Sequence, residues 1–242
     1  MTVSTESWVI QQRQIFRFRR HFMRDILFDK LVRTVFWDVK IEGLENIPPE
    51  GPAILMINHV TAADPVAVLG ATRPRFVVPM SKIENFWNPF SSILVRSWGA
   101  YPVRRGTVDR EALRIAEKLL EAGELTLIAP EGTRHPALGR PRHGLTYIAV
   151  RTNTIVVPTA IYNLETWLKD LVIPWRRTEV HVHYGRPFRL KKGGRKRIPR
   201  AELHRMTDEM MYQLAALLPE RNRGEYADLS RATTDYLEFV NL

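Results

Sequence analysis

Residues Pro52 to Asp64 read PAILMINHVTAAD. Ala53 to Ile57 is an unbroken apolar run, the pattern of a short strand buried on both faces, and it ends at Asn58 and His59. A core strand therefore delivers a histidine to its end. Five positions beyond His59 stands Asp64, followed by Pro65 and the apolar Val66, Ala67, Val68 and Leu69. This predicts a helix with Asp64 at its N-cap and proline just inside. A strand, a short loop and a helix in so few residues point to an α/β fold, and the loop can fold back to bring carboxylate and imidazole together.

A neutral imidazole accepts a proton from a hydroxyl, while a carboxylate on its other nitrogen fixes the tautomer and stabilises the imidazolium. If that hydroxyl belongs to a substrate, an acyl group can pass from donor to alcohol without an acyl-enzyme. The plainer alternative is an N-capping aspartate beside an unrelated histidine.

The 242 residues suffice for one large α/β domain with a sizeable core. Hydrophobic residues make up 45% and charged residues 26%, which excludes global disorder. Lys and Arg total 36 against 26 Asp and Glu, a formal net charge of +10 that favours anionic partners without choosing among them. No cysteine is present, so disulfides, thiolate metal sites and a thiol nucleophile are excluded. No signal-peptide pattern and no spanning apolar segment is visible, so membrane contact is expected to be made from the surface.

From Glu6 to Trp37 there is no proline or glycine, and Trp8, Ile15, Phe18, Phe22 and Ile26 recur at helical intervals, widened by Phe16, Met23 and Leu27. Arg13, Arg17, Arg19, Arg20, Arg24, Lys30 and Arg33 occupy the other faces. The segment reads as a basic amphipathic helix suited to a membrane interface, or to packing its apolar face on the domain. Val39 to Glu42 is expected as an edge strand, Arg75 to Pro79 as a buried strand, and Ser81 to Trp98 as helix broken at Pro89. Phe86, Trp87 and Phe90 around that break are expected in the core, with a share left to line a lipid channel.

Gly99 to Arg105 (GAYPVRR) is a short strand ending in two arginines, only one of which strand alternation would turn into a site. Asp109 to Glu121 is an amphipathic helix. Leu125 to Ala129 is a core strand running into Pro130, Glu131, Gly132, Thr133 and Arg134. A turn at the carboxyl end of a strand is where α/β proteins place ligands, and an arginine beside glycine amides suits an anion. A polar surface turn is the alternative.

His143 to Thr152 is expected as helix and Ile155 to Ile161 (IVVPTAI) as a buried strand broken by Pro158. Leu164 to Trp175 is an apolar excursion without an assigned place. His181 and His183 share a strand face, with no third metal ligand in view. Lys191 to Arg197 is a basic loop, Pro199 to Leu218 a final amphipathic helix, and the residues after Arg221 a loosely packed tail. P-loop, GxSxG, HExxH and nucleic-acid motifs are absent, so specific nucleic-acid binding is not expected.

Taken together, NHVTAAD, GAYPVRR, PEGTR and VVPTAI, in this order and at these separations, resemble the four sequence blocks of the glycerolipid acyltransferase family, the 1-acyl-sn-glycerol-3-phosphate acyltransferases and their relatives. The resemblance is close over Pro48 to Tyr184. It implies a single α/β domain with a mixed, largely buried β-sheet flanked by helices over 38–220, an N-terminal membrane-interface element over 1–37, and a tail over 221–242. It also implies that His59 is the base and Asp64 its orienting carboxylate. The glycine followed six places later by arginine maps to Gly99 and Arg105, which picks Arg105 over Arg104 as ligand of the acceptor phosphate. The EGTR block maps to Glu131, Gly132, Thr133 and Arg134, assisting acceptor binding, and the VPTAI proline to Pro158. His135 stands where family members often carry a small residue, which leaves the headgroup open.

The implied reaction moves a fatty acyl group from acyl-CoA or acyl-carrier protein to the free hydroxyl of a lysophospholipid, 1-acyl-sn-glycerol-3-phosphate first. Another lyso-lipid or glycerol phosphate as acceptor, or a silent lipid-binding protein of the same fold, are the alternatives. A thiolate leaves readily, so neither metal nor cofactor is expected. The implied location is the cytoplasmic face of an anionic membrane, peripheral or monotopic.

Overall fold

Strand β2 (Ala53–Ile57) is buried at every residue because it lies mid-sheet with helices on both sides. Each large aliphatic side chain so buried contributes about 1.5–3 kcal/mol relative to exposure. The computed structural model describes residues 16–73, 75–106, 108–170, 176–191, 193 and 198–242. Within them β2 pairs in parallel with β5 (Leu125–Ile128) and with β6 (Ile155–Tyr162). Beyond β5, β3 (Val77–Lys82) and β4 (Tyr101–Val103) continue the parallel half. Beyond β6 the sheet turns antiparallel at β7 (Thr178–Tyr184), whose outer neighbour is the edge strand β1 (Trp37–Glu42). Strands β8 (Phe188–Leu190) and β9 (Leu237–Phe239) extend β6 on a side branch, so the sheet is mixed, as the resemblance implied.

Two cores flank it. On one face lie α4 (Arg110–Glu121), α5 (Gly144–Thr152) and α7 (Arg200–Ala216), packing Ile115, Leu119, Ile148, Met206 and Met210. Asp109 caps α4, accepting the amides of Glu111 and Ala112 at 3.1 Å each. On the other face α2 (Asp64–Ala71) and the N-terminal element pack Phe28, Trp37, Val68 and Trp98. The short α6 (Trp167–Asp170) falls in the Leu164 to Trp175 excursion, whose residues 171–175 lie outside the described ones, as do most of the basic loop and residues 1–15.

Several expectations are corrected. Pro158 does not break β6, which runs through it; its carbonyl accepts the Gly185 amide at 2.7 Å in the gap between the β7 and β8 pairings, where no ladder donor is needed from residue 158. The segment after Arg221 is not loose. Tyr226 and Leu237 are buried, β9 joins the sheet, and Glu209 of α7 accepts the side-chain hydroxyl of Thr233 and the amides of Asp235 and Tyr236.

Residues 81–98 are strand, a 3₁₀ turn at Ile83–Phe86 and then α3 (Pro89–Trp98), with Asn88 as cap. Trp87 and Phe90 are 70% and 86% exposed rather than core. The N-terminal element begins as α1 (Phe16–His21) and winds on as a π-helix, Phe22–Phe36, not as continuous α-helix. Its faces are also mixed, Met23 and Phe28 packing inward while Arg17, Arg19 and Lys30 are exposed. Arg20 and Arg24 point inward, Arg20 donating Nε to the Trp98 carbonyl at 3.0 Å and Arg24 lying 4.0 Å from the Phe76 ring centroid. Phe18, Phe22 and Ile26 face out. No helix among the described residues is long and apolar enough to cross a membrane.

Candidate active site

The carboxyl ends of β2, β5 and β4 open on one edge of the sheet, and the predicted residues gather there. Asn58 closes β2: its amide side chain donates to the Ile161 carbonyl at 2.7 Å and accepts the Ile161 amide at 2.8 Å, replacing a backbone rung to β6. Both bonds are buried, so His59 leaves a fixed strand end.

Asp64 does cross the loop to His59, although not from an N-cap. It is the first residue of α2, Ala63 holds the cap position without a side-chain bond, and the Asp64 carboxylate turns back over the loop. Its Oδ2 accepts the amides of Val60 at 2.6 Å and Thr61 at 2.7 Å, and His59 Nδ1 lies 3.1 Å away. Oδ1 accepts the Thr61 hydroxyl at 2.7 Å. An aspartate gripped by so many donors holds the imidazole at Nδ1 and leaves Nε2 as its free nitrogen. Asp64 is 1% exposed and His59 9%, so the pair is dry except at the ring edge.

That edge borders a groove of about 1,130 Å³. Its walls are Met80, Val103, Leu113, Leu145 and Ile148, and its rim carries Arg104, Arg105, Gly132 and Arg142. Both arginines after β4 reach it, because the strand ends at Val103 and alternation does not extend to them. Shielding from solvent, and then the Arg134 and Arg142 guanidinium groups, hold the Arg105 pKa below that of a free arginine, with Glu84 opposing. Like charges gathered in this way are stabilised by an anion.

The turn after β5 divides its labour. Glu131 is buried, and its carboxylate accepts the Gly139 amide at 2.7 Å. That bond ties the two sides of the loop together. Burial pushes the Glu131 pKa above the ordinary carboxylate range, although the amide bond works the other way. Gly132 has φ +70°, and the Arg142 side chain lies over it so closely that a Cβ there would stand 3.2 Å from Arg142 Cδ and Nε. Thr133 and Arg134 are exposed at the outer turn. The His135 amide ties the turn back to the His59 carbonyl at 2.9 Å, which any residue but proline could do.

Residues 38–162 match the sequence profile of the family described as Acyltransferase, more than half of the chain. The chain belongs to that acyltransferase family. Among curated members, it is 28% identical over 148 residues to a 1-acyl-sn-glycerol-3-phosphate acyltransferase of Borreliella burgdorferi, covering 59% of this chain and 58% of that protein. It is 27% identical over 164 residues to one of Streptococcus pneumoniae, covering 65% and 60%. The chain thus spans about three fifths of the length of these two relatives. The crystal structure of the 1-acyl-sn-glycerophosphate acyltransferase of Thermotoga maritima superposes with a TM-score of 0.56 at 23% identity, over 90% of this chain and 82% of that one, and supports the fold.

Asn58, Thr61 and Arg142 join the candidate site, and the sequence alone does not single them out. Asn58 and Thr61 sit inside the NHVT stretch, where a polar residue closing an apolar strand was the available signal. Arg142 had none. His181 and His183 stand apart, His181 Nε2 paired with Glu179 at 2.9 Å and stacked on Tyr162. No metal-binding cluster occurs among the described residues.

Proposed function

We propose that this chain is an O-acyltransferase that moves a fatty acyl group from an acyl thioester, acyl-CoA or acyl-carrier protein, to the free hydroxyl of a lysophospholipid. The first-choice acceptor is 1-acyl-sn-glycerol-3-phosphate, giving phosphatidate. The observation that carries this reading is the buried His59–Asp64 pair bordering a groove that is apolar along its walls and cationic at its rim. A long acyl chain suits the walls, and a phosphate monoester suits Arg105, Arg134 and Arg142.

In the reaction His59 Nε2 takes the acceptor's hydroxyl proton as the oxygen attacks the thioester carbonyl. The C–O bond forms, the oxyanion collapses, the C–S bond breaks, and the imidazolium returns its proton to the departing thiolate. Asp64 holds the ring and stabilises the imidazolium. General base assistance contributes roughly 10²- to 10⁴-fold, and a preorganised anion site about as much.

The outward Phe18, Phe22, Trp87, Phe90 and Ile93, with the exposed Arg17 and Arg19 nearby in sequence, support a peripheral seat on an anionic bilayer. The reading places that seat on the cytoplasmic face, where thioester donors are available. The deciding experiment incubates purified protein with lysophosphatidate, glycerol 3-phosphate and neutral lyso-lipids, each with acyl-CoA and acyl-carrier protein, and weighs the products. Absence of acylated product from every pair removes the reading.

A further inference from the structure

The segment that clamps the turn after β5 comes from outside the family match, which ends at residue 162. Residues 130–142 form a closed loop whose neck is the bond from the Arg142 amide to the Pro130 carbonyl, 2.7 Å. Its inner side is pinned to the His59 carbonyl through the His135 amide. Its far side is held by the stretch after α7. The Leu138 amide donates to the Asn222 carbonyl at 2.9 Å, the Glu225 amide donates to the Leu138 carbonyl at 3.0 Å, and Asn222 Nδ2 donates to the Pro136 carbonyl at 3.0 Å.

These bonds come from a short, tightly built piece of chain. Asn222 is 4% exposed and ends a 3₁₀ turn, Glu220–Asn222. Arg221 Nη2 anchors that turn to Asn163 Oδ1 at 2.5 Å, and Asn222 Nδ2 also reaches Glu165 Oε1 at 3.3 Å, so it rests on the exit from β6. Gly224 has φ +52°, and a Cβ there would stand 2.0 Å from the Leu138 carbonyl oxygen. Glycine is the residue that lets the two backbones meet this closely.

We infer that Asn222 and Gly224 are positioning residues of the acceptor site: they hold the 130–142 loop so that Arg142, at its closing end, stays on the groove rim beside Arg105, where the acceptor's phosphate would bind. The inference rests on the reading under Proposed function for its ligand, but not for the clamp itself. A loop carrying a phosphate ligand loses affinity when its scaffold loosens, because ordering it is then charged to binding.

The test uses the full chain carrying Asn222→Ala, and separately Gly224→Ala, with two readouts. Amide exchange of residues 131–142 is expected to rise about tenfold or more in both, while β2 and β5 stay protected. The KM for lysophosphatidate is expected to rise about tenfold, with the donor KM within about twofold. Faster exchange with an unchanged acceptor KM makes the contact merely structural and overturns the inference, as does unchanged exchange in both variants. Wild-type protein that acylates no phosphate-bearing acceptor removes the functional reading instead, and exchange then decides the clamp alone.

Discussion

The backbone amide of His135 donates to the carbonyl of His59 at 2.9 Å, so the end of β2 and the turn after β5 form one hydrogen-bonded unit. The candidate base and the candidate anion ligands are thereby held in register by main chain, and side-chain substitutions on either loop can be read as chemistry without first displacing the other.

Replacing His59 with alanine removes the imidazole that Asp64 holds at the groove; His143, which also lines it, has no such partner there. Acyl transfer is expected to fall by at least about 10²- to 10⁴-fold, with thermal unfolding little changed because the ring edge is not part of either core. Product formation measured by mass spectrometry checks this, and residual turnover above a few per cent assigns the proton to another group.

For Asp64 the expected loss has two parts. Asp64→Asn keeps the shape, but with its oxygen in the Oδ2 place it turns an NH2 towards the Thr61 hydroxyl that Oδ1 now accepts, and it has no charge with which to stabilise the imidazolium. We expect kcat to drop about 10²-fold or more, and stability to fall by about 1 kcal/mol from the lost Thr61 hydroxyl bond. Calorimetry beside steady-state kinetics separates the parts.

Arg105→Ala is expected to raise the KM for a phosphate-bearing acceptor about tenfold while leaving the donor KM unchanged. Arg105→Lys recovers only part of it, because an ammonium cannot reproduce the planar fork. Equal KM values for all three proteins reassign Arg105 to the surface.

Glu131 gives a pH signature. Its folded-state pKa is raised above the ordinary 4.5 by burial. A raised carboxyl pKa means that the folded state holds the proton more tightly, so this group's contribution is fully present below the unfolded pKa and is lost as pH rises through the folded one. The expected result is that Glu131→Gln, which never ionises, gains melting temperature relative to wild type as pH is raised from about 4 towards neutrality. A difference flat with pH contradicts the assignment.

How much of this was legible in the sequence follows from what each residue answers to. The strands β2, β5 and β6 and the helix α4 are dictated by local apolar pattern and capping, and they appear where the pattern places them. Pairs that depend on chain reversal are different: the loop between His59 and Asp64 could be anticipated because it is short, whereas Arg142 over Gly132 and Asn222 against Pro136 join residues that no local period connects. The tail was misread because its apolar residues, Tyr226 and Leu237, are sparse, although each is buried by a partner distant in sequence. Arg20 and Arg24 were placed outside by the habit of charge, but a carbonyl at a helix end and an aromatic face take them inside.

The outward aromatics of the same element set the last prediction. Deleting residues 1–37 is a poor test of membrane seating, because Phe28 and Trp37 are core residues, 1% and 4% exposed, and the deletion would unfold what it probes. Point changes on the outward face avoid this. Phe18→Ser with Phe22→Ser, and Trp87→Ser with Phe90→Ser, alter residues between 53% and 86% exposed, so folding should be spared. Each buried aromatic contributes about 1.5–3 kcal/mol on transfer from water. Either double change is thus expected to weaken flotation with phosphatidylglycerol-containing vesicles at least tenfold, and added salt should weaken it further through the arginines. Binding of all variants equal to wild type would show that this face looks into water, and Phe18, Phe22, Trp87 and Phe90 would then need another partner.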